Sequence, residues 1–114
     1  MTRQASVFFN GILAGTLTKV EDNNKATPRA HFIFSYDEFY LSQGKPSIAL
    51  DMPKRAEPYR SDFLFPFFEG LLPEGESRTL FCTQQKIDPR DSFSLLLKLA
   101  GKETIGAVTV MEDA

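Results

Sequence analysis

The sequence has few of the residues from which enzyme sites and metal sites are built. It contains one cysteine, Cys82, one histidine, His31, and no tryptophan in 114 residues. A single cysteine can form neither an intramolecular disulfide nor a cysteine-based metal cage. His31 is the only histidine that could activate the Cys82 thiol as a nucleophile. We therefore expect a plain buried or half-buried thiol, no catalytic residue, no metal and no cofactor.

The sequence also lacks a large net charge and a long apolar run. A formal net charge of −2 gives no general electrostatic attraction to nucleic acid or anionic membranes. No apolar run reaches the roughly 18 to 20 residues of a membrane span, and no signal-peptide core follows the N-terminal residues. With 42% hydrophobic residues, the composition predicts one globular, cytoplasmic domain over residues 1–114 that binds neither nucleic acid nor membrane directly.

Motifs of nucleotide and hydrolytic chemistry are missing as well. The sequence has no Gly-rich phosphate loop, no Gly-x-Ser-x-Gly elbow, no His-Glu-x-x-His pair and no kinase-type Asp-Phe-Gly. The carboxylates Glu69, Glu74 and Glu76 lie close together in the sequence, but acids at the start of a helix ordinarily interact with the helix dipole. We predict that the chain is not an enzyme and does not bind ATP.

The first half of the sequence is typical of an antiparallel sheet. Asn10-Gly11 separates two β-rich runs and predicts a hairpin. Alternating apolar and polar residues predict a strand over residues 29–36 with one buried face, to which Phe32 and Phe34 belong. Further strands are predicted over residues 47–52 and 106–111. The sheet therefore has about five strands.

The second half of the sequence is typical of short helices. Asp88 is suited to cap a helix that begins at Pro89 and closes at Gly101, with Phe93 on its apolar side. Residues 74–85 form a second predicted helix, and residues 37–41 are predicted to form one helical turn. The predicted fold class is α+β, a small antiparallel β-barrel or curled sheet of about five strands with two to three short helices packed on it.

Residues 61–75 are the most informative segment, because they combine four Phe and three Leu with prolines, glycines and acids. Pro66 and Pro73 limit a helix between them to about two turns, which is too short to cover all of these rings. Each Phe of the segment can thus belong to the core or to a surface that binds another protein. We expect Phe32, Phe34 and Phe93 to lie in the core.

A protein-binding surface needs a few aromatic anchors surrounded by polar groups, and this segment with the loop before it supplies both. We expect at least one of Phe65, Phe67 and Phe68 to be an anchor. Pro73 stiffens the turn over residues 71–75. We therefore expect this turn to present the residues just before it, Phe68 and Glu69, to a partner as a wedge. The predicted partner-binding residues are Arg55, Tyr59, Phe65, Phe67, Phe68, Glu69, Leu72, Pro73 and Glu74.

Five motifs, spread over almost the whole chain, occur together in a characteristic order: Val7-Phe-Phe-Asn-Gly-Ile-Leu-Ala-Gly-Thr-Leu, Phe34-Ser-Tyr, Ser47-Ile-Ala-Leu-Asp-Met-Pro, Phe67-Phe-Glu-Gly-Leu-Leu-Pro-Glu-Gly and Gly106-Ala-Val. In these motifs and their order the chain resembles the N-terminal subdomain of HipA-type Ser/Thr kinase toxins. The resemblance implies a small antiparallel barrel or curled sheet with packed helices. It also implies that the family's catalytic machinery lies further along a longer chain.

A free-standing chain of this length resembles, more narrowly, the HipS-type antitoxins of three-part HipB–HipS–HipT systems. The resemblance implies that the chain binds and inhibits a HipT-like Ser/Thr kinase toxin, in a complex that can include a HipB-like DNA-binding protein. In those systems a tryptophan of the antitoxin is thought to block the kinase active site. This sequence has no tryptophan, and Phe residues of the 65–68 cluster are the expected substitutes.

Two alternatives to the antitoxin role stay open at this point. The chain can be a structural and assembly subdomain of a full-length HipA-like kinase, in contact with the catalytic lobes and a HipB partner. It can also be an unrelated module that binds peptides through its Phe-rich segment.

Overall fold

The computed structural model describes residues 2–22, 29–100 and 107–113. Five strands and four short helices lie in these residues: β1 Thr2–Phe9, β2 Ile12–Asp22, β3 Arg29–Tyr36, α1 Glu38–Ser42, β4 Tyr59–Ser61, α2 Pro66–Glu69, α3 Gly75–Gln85, α4 Ser92–Ala100 and β5 Val108–Glu112. The strands form one antiparallel sheet in the order β4-β3-β2-β1-β5. The predicted α+β class with a curled five-stranded sheet is confirmed, with four helices in place of two to three. Among the described residues, no helix is long and apolar enough to cross a membrane.

The β1–β2 hairpin turns at Asn10-Gly11, as the sequence predicts. Both residues have positive φ, 51° and 79°. A tight hairpin turn requires this left-handed conformation, and Asn and Gly adopt it most readily. The pairing of β1 with β2 shifts register between Val7 and Phe8. Such a bulge increases the local twist and so helps the sheet to curl.

The antiparallel pairing sorts the strand ends into two groups. At one end of the sheet, here called the hairpin end, lie the Asn10-Gly11 turn, the last residue of β3 and the first residue of β5. At the other end, here called the open end, β1 begins and both β4 and β5 finish. The segment that follows β4 therefore starts at the same end of the sheet as the segment that follows β5.

The core lies on the inner face of the sheet, beneath the helices. Phe32, Phe34 and Tyr36 of β3 are buried, at 8%, 0% and 5% exposure. The Phe34 ring contacts the rings of Tyr36 and Phe68, with centroid distances of 5.0 and 5.9 Å. The Phe32 ring lies 6.3 Å from the ring of Phe93 in α4. Because Phe93 is also buried, the prediction that Phe32, Phe34 and Phe93 are core residues is confirmed.

The predicted strand over residues 47–52 is wrong. This segment forms a tight turn with a single bridge between Ala49 and Met52. Two of its backbone groups bind the Tyr36 hydroxyl, which donates to the Met52 carbonyl and accepts from the Ile48 N–H at 3.1 Å. The Tyr36 side chain thus makes the hydrogen bonds that these two backbone groups would otherwise make with a neighbouring strand. The fourth strand is Tyr59–Ser61, paired with β3, and its three residues are too few to produce an alternating pattern.

Helix α4 begins at Ser92, three residues later than the predicted start at Pro89. The Asp88 carboxylate accepts from the Arg90 N–H at 2.9 Å in a turn, and Asp91 caps the helix by accepting from the Ser94 N–H at 3.1 Å. The Pro89 carbonyl accepts two hydrogen bonds from the Arg78 guanidinium, at 2.9 and 2.7 Å. The Pro89 carbonyl therefore binds a side chain and not the backbone of α4.

Gly15 in β2 occupies a position with no room for a side chain. An ideal Cβ at Gly15 would lie 2.4 Å from the Ser35 carbonyl oxygen and 2.8 Å from Cζ of Phe34. We expect Gly15→Ala to lower the free energy of unfolding, measured with urea, by about 3 kcal/mol, the upper range for overpacking.

Gly44→Ala is the matched control for this substitution. A Cβ at Gly44 meets nothing within 4 Å, so this change should leave stability unchanged or raise it by up to about 1 kcal/mol. Equal stability losses in the two variants would show that the contacts of Gly15 are not the cause.

Candidate partner-binding surface

The aromatic segment after β4 contributes mainly to the core. Phe65, Phe68 and Leu72 are 6%, 0% and 6% exposed. The Phe68 ring packs against the rings of Phe34, Phe65 and Phe67, at centroid distances of 5.9, 6.4 and 5.2 Å. Pro66 starts the single turn of α2, and residues three apart share one face of a helical turn. Phe65 and Phe68 therefore face the sheet together, and the expectation that the turn presents Phe68 as a wedge is wrong.

Three other predicted partner-binding residues of this segment retain part of their surface. Phe67 is half-buried and packs against the core, Pro73 is half-buried, and Glu74 is exposed. Of the three Phe residues predicted as anchors, Phe67 is the one with accessible surface in the folded chain.

Glu69 belongs to an ion pair that joins three elements. Its Oε1 accepts from Nη1 of Arg78 at 3.0 Å and from the Ser92 hydroxyl at 3.3 Å. Arg78 also donates to the Ser92 hydroxyl at 3.0 Å, in addition to its two bonds to the Pro89 carbonyl. One guanidinium thus ties α2 and α3 to the start of α4. The Glu69 carboxylate positions α2 and does not project from a wedge.

Arg55 and Tyr59 brace the loop before β4. Cζ of Arg55 lies 3.6 Å from the centroid of the Tyr59 ring, a cation–π contact. The guanidinium donates to the carbonyls of Glu57 and Pro58, at 3.0 and 3.1 Å. The Tyr59 hydroxyl donates to the Pro53 carbonyl. Arg55 is exposed and Tyr59 half-buried, so the pair is held in place and retains accessible surface, and its partner-binding role stays a prediction.

Phe63 is the exposed ring of the segment, and the sequence prediction did not single it out. Its side chain is 79% exposed, while its N–H donates to the Ser61 hydroxyl at 3.1 Å and fixes the backbone after β4. Phe63 borders a groove of about 270 Å³. The groove is also lined by the buried rings of Phe32 and Phe93 and by the charged residues Lys19, Asp62, Glu69, Arg90 and Asp91. We call Phe63 and this groove the Phe63 surface.

The sequence held one signal for the exposure of Phe63. Phe63 precedes the Pro66 helix start by three residues and lies outside the helical spacing shared by Phe65 and Phe68. The spacing therefore does not direct the Phe63 ring toward the sheet together with the rings of Phe65 and Phe68.

The Asp91 carboxylate places a negative charge at one side of the Phe63 surface. Burial raises the pKa of the Asp91 carboxyl group, but hydrogen bonds from Ser94 and the charges of Lys19 and Arg3 together outweigh that effect. The pKa of Asp91 therefore lies below its ordinary value. Nζ of Lys19 lies 3.7 Å from Oδ1 of Asp91. The carboxylate is ionised at neutral pH, where it both caps α4 and holds Lys19.

The lowered pKa of Asp91 makes folding stability depend on pH. The Asp91 carboxylate contributes fully to the free energy of unfolding above about pH 4, which is the pKa of an Asp in the unfolded chain. This contribution is lost as the pH falls through the lower pKa that Asp91 has in the folded protein. We expect Asp91→Asn to reduce stability at pH 7 and to flatten the acid limb of a plot of unfolding free energy against pH. Asp51→Asn, at an exposed turn, is the control. An acid limb as steep as that of the natural chain in Asp91→Asn would contradict this assignment.

Truncation separates the buried rings from the exposed one. Phe68→Ala should lower the free energy of unfolding by about 3 to 5 kcal/mol, because it empties a fully buried site. Phe63→Ala removes the same side chain from an exposed site and should change stability by less than about 0.5 kcal/mol. Urea denaturation measures both values. A large loss for Phe63→Ala would mean that its ring packs in the folded protein.

Other chemistry is limited in the described residues. Cys82 is a free thiol at 1% exposure, as expected for a plain buried cysteine. No group of His, Cys, Asp and Glu side chains suited to hold a metal ion lies in the part of the chain that the structure describes.

Comparison with known proteins shows the family. Residues 5–111 match the HipA N-terminal domain family, and the chain belongs to it. A solved structure described as the N-terminal domain of HipA toxin has a TM-score of 0.66 and 33% sequence identity to this chain. The match covers 98% of this chain and 93% of that one.

The similar proteins are of two lengths. An uncharacterized protein of Haemophilus influenzae is 36% identical over 99% of this chain and 95% of its own length. The putative kinases Y4mE and Y4dM of Sinorhizobium fredii are 29% and 32% identical over 97% and 83% of this chain. The chain covers only 25% and 23% of those kinases. The family match is to the N-terminal domain alone and includes no kinase domain.

Proposed function

We propose that this protein is a non-catalytic antitoxin of the HipS type, which binds and inhibits a HipT-like Ser/Thr kinase toxin. The observation that carries the proposal is the match to the N-terminal domain of a toxin, combined with a relative of nearly the same length. Interfaces between domains of one chain resemble interfaces between proteins. A domain that packs on a kinase within one chain therefore has a surface with which it can make the same contact when the domain is a separate protein.

The topology supports the open end of the sheet as the kinase-facing side. The matched domain is N-terminal in HipA, so the rest of such a kinase follows the strand that corresponds to β5. Strand β5 finishes at the open end, where the segment that carries Phe63 also begins. The Phe63 surface thus lies at the end of the sheet from which the kinase body would continue.

Phe63 is the anchor that we propose in place of Phe68. An exposed ring on a fixed backbone, flanked by charged groups, matches the aromatic centre and polar rim of protein interfaces. Placed at or near the kinase active site, such a ring hinders substrate binding or loop closure without chemistry of its own. The exposed parts of Arg55, Tyr59, Phe67 and Glu74 belong to the proposed rim.

A second candidate function is favoured by the two longer relatives. This chain covers 25% and 23% of those kinases. We infer that in such a full-length kinase the domain would be a structural and assembly module, with its open end against the catalytic body of the same chain. In either case a HipB-like protein supplies the contact with DNA, since a net charge of −2 gives this chain no attraction of its own to nucleic acid.

Co-expression with a HipA-type kinase that lacks this domain, taken from the neighbouring gene, tests the proposal. We expect the natural chain to restore growth, and Phe63→Ala to weaken binding by about 2 kcal/mol, roughly 30-fold in Kd, and to lose the rescue. Phe39→Ala is the control, because it removes another exposed ring, at 67% exposure, from α1 at the hairpin end.

Each possible failure of this test has a separate meaning. A kinase that remains toxic with the natural chain overturns the antitoxin role. Natural affinity in Phe63→Ala places the inhibitory contact elsewhere, with Arg55 and Tyr59 as the next residues to replace.

A further inference from the structure

The outer edge of β5 has hydrogen-bonding groups that face away from the sheet. Strand β5 lies at one side of the sheet and pairs with β1. Just beyond its two ends, the Ala107 carbonyl and the Asp113 N–H bond to the β1 side at 2.8 and 2.9 Å. Bonded pairs alternate along an antiparallel ladder. The N–H and C=O groups of Val108, Val110 and Glu112 therefore point away from β1, and such an edge is a template for a further strand.

A groove of about 560 Å³ lies beside this edge. Its apolar lining includes Ile87, Leu97 and Met111, and Met111 is 50% exposed. Three cations also line it: Arg3 is paired with Glu112, which is itself a lining residue, and the other two are Lys86 and Lys98. Neither lysine forms an ion pair with any residue that the structure describes. The groove therefore combines an apolar surface with positive charge that is not neutralised within the described chain.

Two helices build the wall of the groove. Helix α3 ends at Gln85, and the cap residue that follows it, Lys86, takes the left-handed conformation with φ of 57°. The next residue, Ile87, donates its N–H to the Cys82 carbonyl at 2.9 Å. This cap turns the chain so that Lys86 and Ile87 both line the groove. In α4, Leu97 and Lys98 lie one turn after Ser94, and all three line it from one face of the helix.

We propose that this groove and the β5 edge together bind an extended segment at the N-terminus of the kinase partner, one that carries apolar side chains and at least one carboxylate. The proposal rests on the proposed function and names the contact by which the kinase is held. A strand edge that no described strand covers selects an extended segment, and the two lysines select an acidic one.

The topology favours the kinase's own N-terminal segment as the occupant. In the longer relatives the rest of the chain follows the matched domain, and Glu112, the last residue of β5, lines this groove. The first residues after the domain therefore start beside the groove in those kinases. A kinase made without the domain begins with the corresponding segment, which reaches the same place from a separate chain.

Binding measurements with two forms of the neighbouring kinase test the proposal. One form is complete, and the other lacks about ten N-terminal residues, the length of one long strand. We expect this deletion to weaken binding of the natural chain at least about tenfold, and the double variant Lys86→Glu, Lys98→Glu to weaken binding of the complete kinase similarly. A synthetic peptide with the deleted residues should compete. Lys45→Glu, in the loop after α1, is the control for a change of charge.

The outcomes separate this proposal from the function on which it rests. A complete kinase that does not bind the natural chain overturns both. Binding that is unaffected by the deletion and by the charge reversals overturns the groove contact alone. If the natural chain forms dimers and Lys98→Gln abolishes them, the groove binds a second copy of this chain. That result would also overturn the groove contact with the kinase. Circular dichroism shows whether each variant is folded, and the kinase deletion tests the contact without altering this chain.

Discussion

The packing of the Phe34 ring is the interaction on which the rest of the structure depends. The ring lies over Gly15 of the neighbouring strand and contacts Tyr36 and Phe68. A single sheet has one face to bury, and in a domain of this size a few large rings must fill that space. Phe68 brings α2 to the sheet, and Arg78 then links α2 to α3 and to the start of α4. One aromatic contact and one ion-pair network thus place α2, α3 and the start of α4. The contact between Phe32 and Phe93 also holds α4 to the sheet.

Some of the aromatic rings are buried and others are exposed, and this difference determines which surfaces are available to a partner. Phe65 and Phe68 are required inside, so they do not reach a partner while the domain is folded. Phe63 precedes the α2 turn and stays at the surface with its backbone held by Ser61. Because the positions of Phe63 and of the last strand are both set by the sheet, the two proposed contacts keep a defined geometry relative to each other.

Local patterns in the sequence predicted those parts of the fold that local interactions determine. The Asn10-Gly11 turn and the alternation of β3 depend on backbone conformation and on a period of two, and both predictions are confirmed. The predicted strand over residues 47–52 was wrong because the Tyr36 hydroxyl, distant in sequence, binds its backbone. The burial of Phe68 likewise follows from a contact with Phe34, which composition and spacing do not show. The partner-binding role of the predicted residues stays a prediction.

The pairing of the first strand with the last has a consequence for synthesis. Arg3 and Glu112 form a hydrogen bond across 109 residues of sequence, so β1 has no partner on that side until β5 has left the ribosome. Contacts between residues so far apart in sequence close late in folding. An incomplete chain therefore exposes the edge of β1, whereas β5 offers its own edge only once it is in place. A chain of this topology acquires its outer edge only with β5, so a partner that binds as we propose would recognise the domain only after its synthesis is complete.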